Sequence, residues 1–171
     1  VQLTNWDASM SSPVVSPDGK YVALLASNTM HKQPGDPHLH VCKLEKAAKP
    51  ERKDQKLEYY AGNAVGSDSH YGAYPMGAVW LDNNSLLCGY TFGGSGGIAK
   101  VSLKGKTEIL HLELDTNINS FAAANGNIAF IRESYDELGE VYLETSEEIK
   151  QLTNISANAL PETISSGLEY I

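Results

Sequence analysis

Residues 11–27 read SSPVVSPDGKYVALLAS. Ser16-Pro17-Asp18-Gly19 at its centre is a tight-turn string. Proline presets φ at the first corner, aspartate bonds its own backbone, and glycine accepts a positive φ. The next run, Tyr21-Val22-Ala23-Leu24-Leu25, is apolar and of strand length. Two more runs of this kind occur, at 85–90 (SLLCGY) and 127–131 (NIAFI). Each also comes after a turn string. One is Leu81-Asp82-Asn83-Asn84, with asparagine expected in the left-handed position, and the other is Ala124-Asn125-Gly126-Asn127. Three hairpins are therefore predicted. Helix signals are nearly absent, and the one helix-tolerant segment, 43–58, is interrupted by Pro50.

The segments after each hairpin also recur. A third strand is predicted at 38–44 (HLHVCKL), 97–103 (GIAKVSL) and 139–143 (GEVYL), and a fourth at 56–60, 107–112 and 148–153. The turn positions Gly19, Asn84 and Gly126 lie 65 and 42 residues apart, and the longer interval holds inserts at 28–37, 45–55 and 62–75. Four strands in a period of about forty residues is the pattern of β-propeller blades. The fold class expected is all-β, with about three four-stranded antiparallel blades at 8–62, 75–114 and 117–154. Val1-Gln2-Leu3-Thr4-Asn5 returns as Lys150-Gln151-Leu152-Thr153-Asn154. Residues 1–5 therefore read as the outer strand of a preceding blade whose other strands are missing. A closed ring takes about four to eight blades. Residues 1–160 are accordingly expected to be a partial propeller, part of a longer chain.

Composition narrows the function classes. Apolar residues make up 42% and charged residues 20% of the 171 residues, as in a soluble globular domain. No apolar run is long enough to span a membrane, and the first residues carry no signal-peptide pattern. The net charge of -8 argues against nucleic acid as a partner. Segment 43–56 (KLEKAAKPERKDQK) is densely charged with mixed signs and reads as a solvated loop or hairpin tip. Cys42 and Cys88 sit in strand-like runs without metal-type spacing and read as two buried free thiols, which lean toward a reducing compartment such as the cytoplasm.

Several residues invite a chemical reading. Gly93-Gly94-Ser95-Gly96-Gly97 matches the G-x-S-x-G string of serine hydrolases. That elbow requires a strand before the serine and a helix after it. Here IAKVSL and the turn Lys104-Gly105-Lys106 come next, so Ser95 is read as part of a flexible loop between strands rather than as a nucleophile. Asp68, His70 and Ser95 have the residue types of a triad, without spacing that joins them. His38 and His40 share one strand face, but no carboxylate or cysteine stands at a supporting spacing for a metal. His31, His70 and His111 are scattered. The insert 62–75 carries Tyr71 and Tyr74 among small residues, a composition suited to surface contact. Trp80 and Phe121 occupy matching places before their turns and are expected in the core between blades. Glu133, Asp136, Glu137 and Glu140 read as a solvated acidic hairpin rather than a calcium site. No catalytic residue, metal ligand or cofactor is expected.

The SPDG-type repeat, with Gln151-Leu152-Thr153-Asn154, then Leu160-Pro161-Glu162-Thr163-Ile164 and Gly167-Leu168-Glu169-Tyr170-Ile171, resembles the propeller exit of the prolyl oligopeptidase family. Glu137-Leu138-Gly139-Glu140-Val141-Tyr142 resembles the third strand of the last blade in its acylaminoacyl-peptidase and dipeptidyl-aminopeptidase branch. The turns at 81–84 and 124–127 depart from SPDG, and the insert 62–75 has no counterpart in the pattern. The resemblance implies that 161–171 is a linker toward an α/β-hydrolase domain lying outside this chain, which would carry the catalytic Ser, Asp and His. The propeller would then gate access for short peptides and be silent by itself. A non-enzymatic binding propeller, of the kind in the periplasmic Tol–Pal system, is the other reading. Uncovered blade faces are expected to drive association between copies.

Overall fold

Fourteen short strands and one turn of helix make up the computed structural model, which describes residues 4, 6–30, 33–57, 59–65 and 77–159. In chain order the strands are β1 (Ala8–Val15), β2 (Tyr21–Met30), β3 (Gln33–Pro34), β4 (His38–Lys43), β5 (Glu51–Arg52), β6 (Tyr60–Ala61) and β7 (Ala78–Trp80). Then come β8 (Ser85–Phe92), β9 (Ser95–Ser102), β10 (Thr107–His111), β11 (Thr116–Ala124), β12 (Asn127–Ser134), β13 (Glu137–Glu144), β14 (Ile149–Gln151) and helix α1 (Ser156–Ala159). The chain is all-β, and its pairings are antiparallel apart from one parallel bridge between Asn117 of β11 and Gly96 of β9.

Three antiparallel units succeed one another, β1-β2-β4-β5, β7-β8-β9-β10 and β11-β12-β13-β14. The parallel bridge joins the second and third into one sheet. No sheet closes on itself among the described residues. The expected strand at 1–5 and the expected linker 161–171 fall outside the described residues, Thr4 excepted.

The units stack face to face, and β8 shows why. Its residues are buried on both faces, so it reads as a continuous apolar run. Leu86, Cys88 and Tyr90 point into one core, with Ala23, Leu25, Leu39 and Val41 of the first unit. Leu87 points the other way and joins Ile118, Ile128, Phe130 and Tyr142 of the third unit. Trp80 is buried in the first core, and its Nε1 donates to the Val14 carbonyl at 3.1 Å, tying unit two to unit one. Phe121 packs, half-buried, against the second core.

The hairpin turns use three different solutions. At 16–21 Gly19 takes φ 69°, Ser16 Oγ donates to Asp18 at 2.7 Å, and Tyr21 N donates to Ser16 Oγ at 3.0 Å. Asn125 and Gly126 both have positive φ, a two-residue turn that matches strand twist. The turn at 81–85 departs from expectation, since none of its residues takes the left-handed conformation. The Asp82 carboxylate closes it instead, accepting from Asn84 N at 2.6 Å, Ser85 N at 2.9 Å and Ser85 Oγ at 2.8 Å.

One strand assignment is corrected. The fourth strand of the first unit is β5 at 51–52, paired with His40 and Val41, rather than 56–60. Residues 60–61 pair instead with β8 of the second unit. The cause is Asp54, which is fully buried and accepts from Leu39 N at 3.1 Å and Arg52 Nε at 2.8 Å. Those bonds pull the chain inward directly after β5 and end the strand.

Strand directions give the stack two ends. The β1–β2, β7–β8, β11–β12 and β13–β14 turns lie at one, the turn end. The β8–β9 and β12–β13 turns, the β10–β11 connection and the chain leaving β14 lie at the other, the exit end.

Candidate functional site

Large apolar side chains left in solvent concentrate at the exit end. Phe92, the last residue of β8, is 47% exposed, with the Tyr59 ring 4.3 Å from its own. Tyr60, Leu114, Tyr135, Leu138, Leu152 and Ile155 share that end and are also exposed. Isolated exposed apolar residues are ordinary, but a group gathered at one end of a stack suits contact with another surface.

Ser95 sits at this end, but it is not a nucleophile elbow. Gly93 and Gly94, both at positive φ, make a two-residue turn between β8 and β9. Ser95 is the first residue of β9, pairs with Phe92 and is 1% exposed. The expected flexible loop is therefore a tight turn that runs directly into strand. No helix comes after it, and no histidine hydrogen-bonds Ser95 among the described residues. Gly96 and Gly97 answer a different need. A methyl group on Gly96 would overlap Asn117 Oδ1, and one on Gly97 would overlap the His111 carbonyl.

The residues that hold this end together were mostly silent in the sequence. Asn63 Nδ2 donates to Asn117 Oδ1 at 2.8 Å and to the Ile118 carbonyl at 3.3 Å. Ala64 N donates to Thr91 Oγ1 at 2.8 Å. Residues 62–65 are thereby pinned across β8 to β11. Asp68, His70, Tyr71, Tyr74 and His31, candidates in the sequence, lie outside the described residues.

The acidic group of the third unit is not a solvated hairpin. Glu140 is fully buried, accepting from Ser156 N at 2.7 Å, from Ser156 Oγ at 2.9 Å and from the Thr153 hydroxyl. Burial pushes its pKa up, but those hydrogen bonds outweigh it and hold the carboxyl below the usual range. Glu140 thus clamps the departing chain to β13. Glu133 is also buried and accepts from Asn119. Glu137 takes Arg132 Nε at 3.0 Å and the Tyr142 hydroxyl at 2.5 Å. Burial first, and then Glu137, push the Tyr142 phenol up to about 12. Only Asp136, bonded to Ser134 Oγ at 2.6 Å, fits the solvated reading.

His38 and His40 do sit on one strand, yet each has its own partner. His38 Nδ1 lies 3.2 Å from Asp54 Oδ2, a carboxylate that the fold supplies from sixteen residues away. His40 Nδ1 meets the His38 carbonyl at 3.0 Å, and its ring packs 4.8 Å from Trp6. Burial lowers the His40 pKa. His111 bridges units instead, with Nε2 at 2.7 Å from Glu144. Among the described residues no group of three His, Cys, Asp or Glu could hold a metal ion. Cys42 and Cys88 are free and buried, and burial pushes the Cys88 thiol up to about 12. Beside it the buried Tyr90 hydroxyl has no hydrogen-bond partner of ordinary geometry among the described residues, and the Cys88 thiol faces the Gly89 carbonyl at 3.5 Å. Neither sulfur has the lowered pKa of a nucleophile.

Among the described residues the exit end therefore offers an apolar surface suited to contact. No protein-family model and no curated protein matches the chain. Its fold does match solved structures. One is a puromycin-hydrolysing peptidase of Mycobacterium tuberculosis, at 17% identity and TM-score 0.62, covering 84% of this chain and 22% of that one. Another is a puromycin hydrolase, at 18% identity and TM-score 0.60, covering 85% and 22%. The chain thus spans about a fifth of the length of these peptidases. A third is a Clostridium novyi NT protein provisionally assigned as a conserved lipoprotein, at 16% identity and TM-score 0.53, covering 87% of this chain and 91% of that one. The likeness is one of fold.

Proposed function

We propose that this chain is the non-catalytic β-propeller portion of a serine peptidase of the prolyl oligopeptidase family, in its acylaminoacyl- or dipeptidyl-peptidase branch. Its three units are blades, and its apolar exit end faces an α/β-hydrolase domain. That domain, outside this chain, carries the serine, histidine and aspartate that hydrolyse short peptides by acyl transfer, while the blades restrict entry. The observation that carries the reading is the fold match to a peptidase over 84% of this chain and 22% of that one. The Glu140 clamp supports it, because it fixes the direction in which the chain leaves the last blade. The test compares this chain with the uninterrupted gene product on aminoacyl-nitroanilide substrates. The longer product turns over and this chain does not. Turnover by this chain that Ser95→Ala removes would overturn the reading.

A second reading rests on the Clostridium novyi match, which covers 91% of that chain. A three-unit module of this size, acting as a non-enzymatic binding propeller like that of the Tol–Pal system, accounts for it. The codons after Ile171 separate the two. A hydrolase region with G-x-S-x-G between strand and helix favours the peptidase, whereas a further SPDG unit or a stop codon favours the binder.

A further inference from the structure

At the turn end, beside β4, lies a cavity of about 380 Å³ that neither the peptidase nor the binding-propeller role employs. Its apolar lining is Val41 and Tyr21 of the first unit with Leu103 of the second, which pack together in the core between those units. Its rim carries Lys43, Lys49 and Lys53. A volume of this size suits a small molecule.

The charge on that rim runs against the rest of the chain. The net charge is -8, yet 43–56 holds six bases against three acids. The amines converge in space as well. Lys53 Nζ bonds Glu51 Oε2 at 2.7 Å. That bond, with Lys43 and Lys49 further out, holds the Glu51 carboxyl below its usual range. Lys43, Lys49 and Lys53 thus line one cavity with Glu51. With Glu45 also on the rim the lining still carries more positive than negative charge. Lys43 and Lys49 make no ion pair among the described residues.

The backbone at the lip is held in a costly shape. Ala47 has φ 59°, the left-handed region, within a turn closed by Ala48 N to the Glu45 carbonyl at 3.3 Å. For a residue with a Cβ that conformation is strained. The turn seats the Ala48 methyl against Val22 and Cys42, on the strand face opposite Val41. Burial raises the Cys42 pKa, so the sulfur stays a neutral thiol beneath Ala48.

We infer that this cavity binds a small anion with a short apolar tail, its head held by Lys43 and Lys49 and its tail laid on Tyr21, Val41 and Leu103. Head and tail are both needed. A bare anion at exposed lysines competes with water and salt, and a bare tail has no reason to choose this cavity. The site is independent of the peptidase reading and lies at the opposite end from the exit.

The test is a ¹H–¹⁵N titration of the 171-residue chain with four probes: hexanoate, phenyl phosphate, inorganic phosphate and hexylamine. Hexanoate and phenyl phosphate are expected to shift the amides of Cys42, Lys43, Ala48 and Leu103 saturably, and the tighter of the two identifies the head group. Inorganic phosphate binds about tenfold more weakly or less, and hexylamine does not bind. Lys43→Gln with Lys49→Gln, both at exposed positions, weakens hexanoate about tenfold while the remaining peaks stay in place. Lys104→Gln, on the neighbouring turn, leaves binding unchanged. Four results would overturn the proposal: no saturable shift, an equal response to hexylamine, phosphate as tight as hexanoate, or unaltered binding in the double variant.

Discussion

Gly93, Gly94, Gly96 and Gly97 flank one serine and meet two different demands. The first pair supplies positive φ, and Gly94 has open space where a side chain would go. The second pair has ordinary φ but no room, since Asn117 and the His111 carbonyl press on the backbone. Gly94→Ala should cost about 1 kcal/mol for the left-handed conformation alone. Gly97→Ala should cost about 2 kcal/mol, because a backbone carbonyl must move. Urea unfolding of both variants checks the order, and equal losses would contradict it. The sequence could not separate these roles, because both kinds of demand are written as glycine. Glu140 was hidden for a similar reason. Its partners Thr153 and Ser156 lie 13 and 16 residues onward, beyond any local pattern. Its folded pKa lies below the ordinary 4.5, so its contribution is fully present above that value and fades as pH falls through the folded one. Glu140→Gln should therefore lower the urea midpoint at neutral pH and narrow its gap to the parent below pH 4.5. A gap that stays constant from neutral pH to about pH 3 would contradict the clamp.

At the scale of elements, β8 was the most legible, because a strand buried on both faces shows as an unbroken apolar run. Strand β5 was the least. It has two residues, and what ends it is the buried Asp54 pairing with Arg52 and His38. Charged residues in a row gave no hint that one of them would be fully enclosed. Asp54→Ala should destabilise by about 3 kcal/mol, since it leaves the Arg52 guanidinium without its buried partner. A loss below about 1 kcal/mol in urea unfolding would show that β5 is held by something else. Between elements, Trp80 was correctly expected in the core, but its bond to Val14 was not foreseeable. Trp80→Phe keeps most of the apolar contact and forfeits that hydrogen bond, which should cost about 1 kcal/mol plus the loss of ring volume.

Across the whole molecule, the two outermost unit faces differ. On the first unit, Val22 and Cys42 lie under Ala48, and the His40 ring lies against Trp6. On the third, Ile131, Val141 and Leu143 turn from the second unit and stay only half-buried. Association between copies through uncovered faces should therefore run through the third unit. Sedimentation at micromolar concentration should show a species larger than 18.5 kDa that Val141→Lys returns to monomer. A monomer from the start would contradict this. The strands and their turns were readable from turn strings and strand lengths, and the structure bears out an all-β chain of antiparallel sheets. The exposed apolar residues shared by the exit end were not readable as a group, because only the strand directions place Phe92, Leu114, Tyr135 and Ile155 at one end. Ser95 decides between a strand and a reaction centre at the exit end. A fluorophosphonate probe incubated with the chain measures this directly. Intact mass unchanged after prolonged exposure is the result expected of a serine 1% exposed within β9. Stoichiometric labelling that maps to Ser95 and disappears in Ser95→Ala would contradict it.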